Sequence, residues 1–304
     1  TLNRLGLPVE TASEDWYQIT VNPNEPTSFV LDGDRAVPLG RSADNFGRSY
    51  RAFTNNEQVA TGDFDDDGML DFAVADDDSD VVRVYYNDGG GNYSLVSWGV
   101  GDVVSIAVGD IDGDNVDDIV TANDDDWTVT TMISSGGRGF SLSSYNTNDD
   151  VEWVVLDDMD GVSGLDIVAA VDGNDEVAIF HNDGLGGFGG GPTLLAVNDA
   201  EGVATGDLNG DNDPDIVVAD DAGDQLWLLL SDGAGGFAAP TSLAFGADDI
   251  SAVYLPDLDA DGHLDIVTAN ESADSVSVLL GQGGAAFDPP AIFGGVTDPE
   301  QAAF

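Results

Sequence analysis

One nine-residue acidic loop returns five times along this chain, beginning at Asp63, Asp110, Asp158, Asp207 and Asp257, at intervals of 47, 48, 49 and 50 residues. A fixed period of that length restricts the chain to a repeat architecture, because each unit is too small to bury its apolar face except against its neighbours. Short apolar runs ending in glycine lead into the loops, as in Val59–Gly62, Ile106–Gly109 and Val203–Gly206. β-Branched runs follow them: Phe72–Ala75, Ile119–Ala122, Ile167–Ala170, Ile216–Ala219 and Ile266–Ala269. A third apolar run comes next (Val81–Tyr86, Val177–Phe180, Leu226–Leu230, Val276–Leu280) and closes in a glycine-rich turn with an aromatic, such as Asp183–Phe188 or Asp232–Phe237. A fourth, outer run such as Thr241–Phe245 completes the unit. Four short antiparallel strands per repeat predict an all-β fold of propeller blades.

Oxygen ligands at alternate positions of a short loop suit a hard divalent cation, and calcium takes six to eight of them. Side chains at positions 1, 3, 5 and 9 would supply most, a backbone carbonyl at position 7 another, and glycine near position 6 permits the sharp bend. The first loop then offers Asp63, Asp65, Asp67 and Asp71 with the Met69 carbonyl, and the second Asp110, Asp112, Asp114 and Asp118 with Val116. The fourth offers Asp207, Asn209, Asp211 and Asp215 with Asp213, and the fifth Asp257, Asp259, Asp261 and Asp265 with His263. The third keeps Asp158, Asp160 and Asp166, but Val162 stands at position 5 and the glycine has moved to Gly164. Help from Ser163 or water would be needed there, and calcium binding at this loop is expected to be weak or absent. Aspartate and glycine also favour plain turns. Four intact copies in register go further, since packed carboxylates repel one another without a cation. Magnesium fits less well because it demands octahedral geometry and keeps its waters.

The unit resembles the FG-GAP/VCBS repeat, the blade of the integrin α-subunit head and of many bacterial surface proteins. The likeness runs from about residue 57 to 296 and rests on the acidic loop after the first strand and the Asp-Gly-x-Gly-x-Phe turn after the third. It implies a β-propeller with calcium in the loops, most often seven-bladed, although this chain supports fewer blades. The expected organisation is a single propeller over 1–304, with repeat blades at 57–103, 104–151, 152–200, 201–250 and 251–296. Residues 293–304 repeat the lead-in to an acidic loop and stop before it, so a sixth blade is expected to combine residues 1–56 with 297–304. The runs Trp16–Val21, Ser28–Leu31 and Ser49–Phe53 would supply its other strands. Closure within the chain removes open edges. Insertion of the last strand into a neighbouring molecule, or an open array, are the alternatives.

The formal net charge is −52, with seven arginines and no lysine. Nucleic-acid binding, which depends on cations meeting phosphates, is excluded, and an anionic membrane would repel the chain. Five calcium ions would cancel ten of those charges, so a saline or divalent-rich medium is expected to screen the rest. Cysteine is absent, and calcium can take over the stapling role that disulfides play in secreted domains. Extracellular sites of this kind bind calcium with dissociation constants of ~0.1–1 mM. At ~1 mM calcium a 0.1 mM site adds about 1.4 kcal/mol by mass action, and four add about 6 kcal/mol. An extracellular or cell-surface location follows from that arithmetic. The sequence carries no signal peptide, membrane-spanning run or lipidation motif and begins at Thr1, which suggests a processed or excised form. Two sequons, at Asn92 and Asn270, are glycosylation candidates.

The two histidines, His181 and His263, fall in different repeats and read as structural, and no nucleophile elbow, zinc-type histidine cluster or phosphate loop is present. The chain therefore reads as non-enzymatic, with no catalytic residues. Three roles remain: a surface, adhesion or fibre-forming module with a protein partner or itself; a lectin using some of Trp98, Trp127, Trp153, Trp227 and Tyr254 against sugar rings; or an accessory domain of a polysaccharide-degrading enzyme.

Overall fold

The structure is a computed structural model that describes the backbone strands at 16–19, 28–32, 35–39 and 50–51. It further describes residues 56–299 except 163, 221, 222, 224, 245–249, 297 and 298, with side chains from Gln58 onward apart from that of Ala244. The chain divides into two compact units, one of residues 1–54 with 303 and one of residues 55–302 with 304.

The first unit holds a four-stranded antiparallel sheet in chain order, β1 (Trp16–Ile19), β2 (Ser28–Asp32), β3 (Arg35–Leu39) and β4 (Tyr50–Arg51). The second holds five such sheets, one per repeat. The first blade is β5 (Asn56–Gly62), β6 (Asp71–Asp76), β7 (Val81–Gly89) and β8 (Asn92–Gly99). The second is β9 (Val103–Gly109), β10 (Asp118–Asn123), β11 (Thr128–Ser134) and β12 (Phe140–Asn146). The third is β13 (Val151–Asp157), β14 (Asp166–Val171), β15 (Glu176–Phe180) and β16 (Thr193–Ala196). The fourth is β17 (Ala200–Gly206), β18 (Asp215–Asp220), β19 (Gln225–Leu229) and β20 (Thr241–Ala244). The fifth is β21 (Ile250–Tyr254), β22 (Ile266–Asn270), β23 (Ser275–Leu279) and β24 (Ala291–Gly294). The protein is an all-β fold of propeller blades. Residues 297–304, expected to lend a closing strand, lie outside the described residues apart from Pro299.

Burial peaks at the second strand of each blade, while the first strands are buried only in part. The second strands, which carry the β-branched runs, are buried along their whole length in β6, β10, β14, β18 and β22. Such near-continuous apolar runs are what a strand covered on both faces requires. The cover comes from the neighbouring blades. Within the second unit the first strands β5, β9, β13, β17 and β21 lie side by side in sequence. Separate apolar clusters fill the spaces between successive blades: Phe64, Tyr86, Ile119 and Met132 between the first two, and Met159, Ile179, Ile216 and Leu229 between the third and fourth. Each fully buried side chain of that size contributes roughly 1.5–3 kcal/mol relative to exposure. The outermost strand β24 is exposed at all four residues.

The glycines that end the first strands have a packing reason. A Cβ at Gly62 would stand 2.8 Å from the Phe64 ring and 2.9 Å from Val108 and Asp117 of the next blade. At Gly206 it would stand 2.5 Å from Leu264, so the strand end can approach the next blade's loop only without a side chain.

Asn270 is corrected as a glycosylation candidate. It is fully buried, and its amide nitrogen donates to Ser275 Oγ at 3.1 Å and Ser277 Oγ at 2.8 Å. Asn92 is exposed in the β7–β8 hairpin and remains accessible.

Candidate metal centre

Each acidic loop joins the first strand of a blade to its second, and hydrogen bonds fold it the same way in four of the five copies. The first aspartate collects loop amides: Asp110 Oδ1 accepts from Gly113 and Asp114 at 2.8 and 3.1 Å, and Oδ2 accepts from Asn115 at 2.9 Å. Asp63, Asp207 and Asp257 do the same. The fifth-position aspartates accept from the seventh-position amides, Asp67 from Met69, Asp114 from Val116, Asp211 from Asp213 and Asp261 from His263, at 2.8–3.0 Å. Asp112, Asn209 and Asp259 accept from the amide two residues on.

The ninth aspartate does something the spacing alone does not reveal. Asp71, Asp118, Asp166, Asp215 and Asp265 are at most 1% exposed. One oxygen of each accepts from the second-position amide (Phe64, Ile111, Met159, Leu208, Leu258) at 2.8–3.1 Å. The other accepts, at 2.7–2.8 Å, from the backbone amide of the residue sixteen further on, Asn87, Ser134, Asn182, Ser231 or Gly281, in or just past the end of the third strand. The loop, the second strand and the end of the third are thereby fastened through one carboxylate.

In three loops the first, third and ninth carboxylates converge. Asp63, Asp65 and Asp71, then Asp110, Asp112 and Asp118, then Asp257, Asp259 and Asp265 each bring one oxygen within 4.8 Å of the other two. The fourth loop carries the amide oxygen of Asn209 at the third position. Desolvation by burial pushes Asp71 up to about 7, with Asp65 and Asp67 adding to it, and Asp118 up to about 6, with Asp112 and Asp114 adding. Burial likewise raises Asp215. The two backbone amides bonded to each of these carboxylates favour the charged form but do not offset burial and the neighbouring carboxylates, and a nearby cation would.

The donor set fits a hard cation on a further ground. The Asp65 side chain is 7% exposed. Its Oδ2 accepts from Arg138 Nε at 2.9 Å, while its Oδ1 is buried with no hydrogen-bond partner. Arg138 comes from the β11–β12 turn of the next blade, also pairs with Asp88 at 2.6 Å, and lies 5.0 Å from the Tyr86 ring centroid. Neighbouring blades also touch through backbone: Ser134 Oγ donates to the Phe64 carbonyl and Asn182 Nδ2 to the Ile111 carbonyl, both at 2.8 Å.

The third loop is built differently. Val162 is 58% exposed, Ser163 lies outside the described residues, and Asp158 Oδ1 is buried without a partner. His181, read from sequence as structural, sits beside Asp160 and Asp166. The signal for it was present but faint: the other repeats carry Tyr86, Ile133, Leu230 and Leu280 at the corresponding place, fifteen residues after the ninth aspartate. A second acidic cluster, Asp102, Asp124 and Asp125, lies at the opposite end of the second blade, and sequence spacing gave no hint of it. A hydrogen bond to Asp77, then burial, pushes Asp102 up to about 6.

The aromatic residues named as sugar platforms divide clearly. Trp98 packs edge-on against Phe140, Trp153 against Tyr254, and Trp227 donates to Asp220 at 2.8 Å. Trp127 is 46% exposed, with its indole N–H bonded to Asp150 at 2.7 Å. No helix among the described residues is long and apolar enough to cross a membrane.

Among solved structures, the chain is similar to virginiamycin B lyase from Staphylococcus aureus, at 10% identity over 93% of this chain and 85% of that one, with a TM-score of 0.62. It is also similar to a protein of unknown function from Desulfotomaculum acetoxidans, at 13% identity over 94% and 83%, with a TM-score of 0.63. A third is a lectin from Agrocybe aegerita that recognises non-reducing terminal N-acetylglucosamine, at 19% identity over 85% and 74%, with a TM-score of 0.53. At these identities the likeness is one of fold. No curated protein matches the chain in sequence. The model of the FG-GAP-like repeat matches residues 63–121, 158–218 and 207–268, together more than half of the chain and spanning all five acidic loops. The chain belongs to the FG-GAP-like repeat family.

Proposed function

We propose that this chain is an extracellular, calcium-stabilised propeller that works as an interaction module, not as an enzyme. The observation that carries the reading is the convergence of first, third and ninth carboxylates in three loops, with a fully buried aspartate in each. Calcium would be held by the loop oxygens of the first, second, fourth and fifth repeats, where it would neutralise charge that protein groups leave uncompensated. Sites of ~0.1–1 mM affinity fill outside cells and stay empty in the cytosol. The adhesive or self-assembling role is supported by apolar side chains that no core uses: Ile292 and Phe293, 51% and 56% exposed, stand on the outermost strand β24. Calorimetric titration of chelator-treated protein with calcium, followed by sedimentation over a concentration series with and without residues 297–304, tests both halves. Absence of calcium heat removes the first, and a monomer at every concentration without any surface partner removes the second.

A glycan partner is the second reading. It is favoured by Trp127, exposed with its indole N–H bonded to Asp150, and by the lectin among the structural neighbours. Glycan-array binding in calcium that disappears in Trp127→Ala supports it; an array without signal refutes it.

A further inference from the structure

The third loop differs from its counterparts at two places, and the two differences meet. It lacks an oxygen at position 5, where Val162 replaces the aspartate of the other four loops. It gains an imidazole at the residue just before Asn182, whose amide holds the ninth aspartate, where the other blades carry tyrosine, isoleucine or leucine. His181 Nδ1 lies 3.4 Å from Asp166 Oδ2 and 3.5 Å from Asp160 Oδ2.

Those separations are long for a charge-assisted hydrogen bond, which runs about 2.7–2.9 Å. They match the edge of a tetrahedron of donors around a zinc-sized ion, about 3.4 Å when each bond is about 2.0–2.2 Å. The other ring nitrogen, Nε2, is 3.1 Å from Thr193 Oγ1 on β16. With Nε2–H donating to that hydroxyl, the Nδ1 lone pair faces two carboxylate oxygens, an arrangement that a cation between them resolves. A metal-bound histidine is commonly held through its second nitrogen in this way.

The loop differs at its first position as well. In the other four loops the first aspartate is occupied by loop amides, whereas Asp158 Oδ1 is buried with no partner. The turn of the fourth blade covers the group: a Cβ at Gly235 would stand 3.5 Å from Asp160 Cβ and 3.8 Å from the His181 ring. Calcium takes oxygen ligands, while imidazole with carboxylates suits zinc and its first-row neighbours.

We propose that the third loop binds one divalent transition-metal ion of the zinc class through Asp160, Asp166 and His181, with Thr193 positioning the histidine. The inference takes Asp160 and Asp166 from the oxygen set first read for this loop and adds His181, while the calcium reading rests on the other four loops, so the two fail separately. Chelator-treated full-length protein is first saturated with calcium and then titrated with zinc by calorimetry, and with cobalt by visible absorption. One zinc per chain, bound in excess calcium, and the intense bands of four- or five-coordinate cobalt are expected. His181→Leu, which installs the residue of the fourth and fifth blades, should abolish zinc uptake and leave the calcium titration unchanged. Asp160→Asn, in a solvent-accessible loop, should weaken zinc binding as a check that does not depend on the strand. Thr193→Val should weaken it about tenfold. No zinc heat in excess calcium, a cobalt spectrum of the hexa-aqua type, or undiminished zinc binding by His181→Leu would overturn the proposal. Zinc heat without calcium heat would instead leave it standing and remove the calcium reading.

Discussion

Glu152 offers a direct test of how acidic crowding acts on this fold. It sits at the register shift between Val151 and Trp153 in β13, partly buried. Burial first, then Glu201, Asp124, Asp172 and Asp150, push its carboxyl from 4.5 up to about 8. Below pH 4.5 the group is protonated in both folded and unfolded chains and costs nothing. Between 4.5 and about 8 the unfolded chain ionises while the folded one resists, so the folded state loses stability as pH rises, and above about 8 the loss is constant. At about 1.4 kcal/mol per pH unit the ceiling is about 5 kcal/mol; partial exposure and screening reduce the expected value to about 2 kcal/mol. Glu152→Gln keeps the shape and removes the titration. Urea unfolding of both proteins in excess calcium should show no difference near pH 4.5 and a variant more stable by about 2 kcal/mol above pH 8 at equal m-value. Added salt should shrink the part due to Glu201 and the aspartates and leave the burial part. A variant that is less stable above pH 8, or a difference independent of pH, would refute the reasoning.

Removing calcium with EDTA should lower the melting temperature, and in zinc-free calcium Asp112→Ala should cost about 1.4 kcal/mol while Asp160→Ala costs less; equal losses would contradict the ranking of the loops. Gly62→Ala should destabilise by about 1–3 kcal/mol in urea unfolding, because its new methyl meets Phe64, Val108 and Asp117 at 2.8–2.9 Å. After expression through a secretory pathway, mass spectrometry of the glycopeptides should find glycan at Asn92 and none at Asn270, whose side chain is buried in hydrogen bonds.

Much of the fold was legible because the signal repeats. The β-branched runs that follow each loop are the buried second strands, and their period marks the blades. The third strand of the second blade, Thr128–Ser134, was not legible. Its threonines look polar, yet Thr130 and Thr131 are buried, and Thr130 Oγ1 accepts from Asn123 at 2.9 Å. The following turn, Ser135–Phe140, also lacks the Asp-Gly signature. Likewise Arg35–Leu39 in the first unit, with a proline at position 38, did not read as a strand. At the site, spacing supplied the donors but not their second partners. That Asp118 binds Ser134, sixteen residues away, or that Arg138 reaches Asp65 in the preceding blade, depends on tertiary packing that no local pattern encodes.

The ninth aspartate explains how a cation can control stability in a loop that is already folded by hydrogen bonds. Each of these carboxylates has both oxygens bonded to backbone amides, so the connection between loop and third strand exists without metal. Those bonds are strongest when the acceptor is ionised. Burial opposes ionisation, and at Asp71 it pushes the carboxyl up to about 7, which weakens the charge on this fastening. A divalent ion held by the first and third aspartates would restore the charge and strengthen bonds it does not itself make. Calcium in this reading acts less as a bridge between chain segments than as the counter-charge that keeps the buried carboxylates of the first, second, fourth and fifth loops ionised, and through them the third strand of each of those blades tied to its loop.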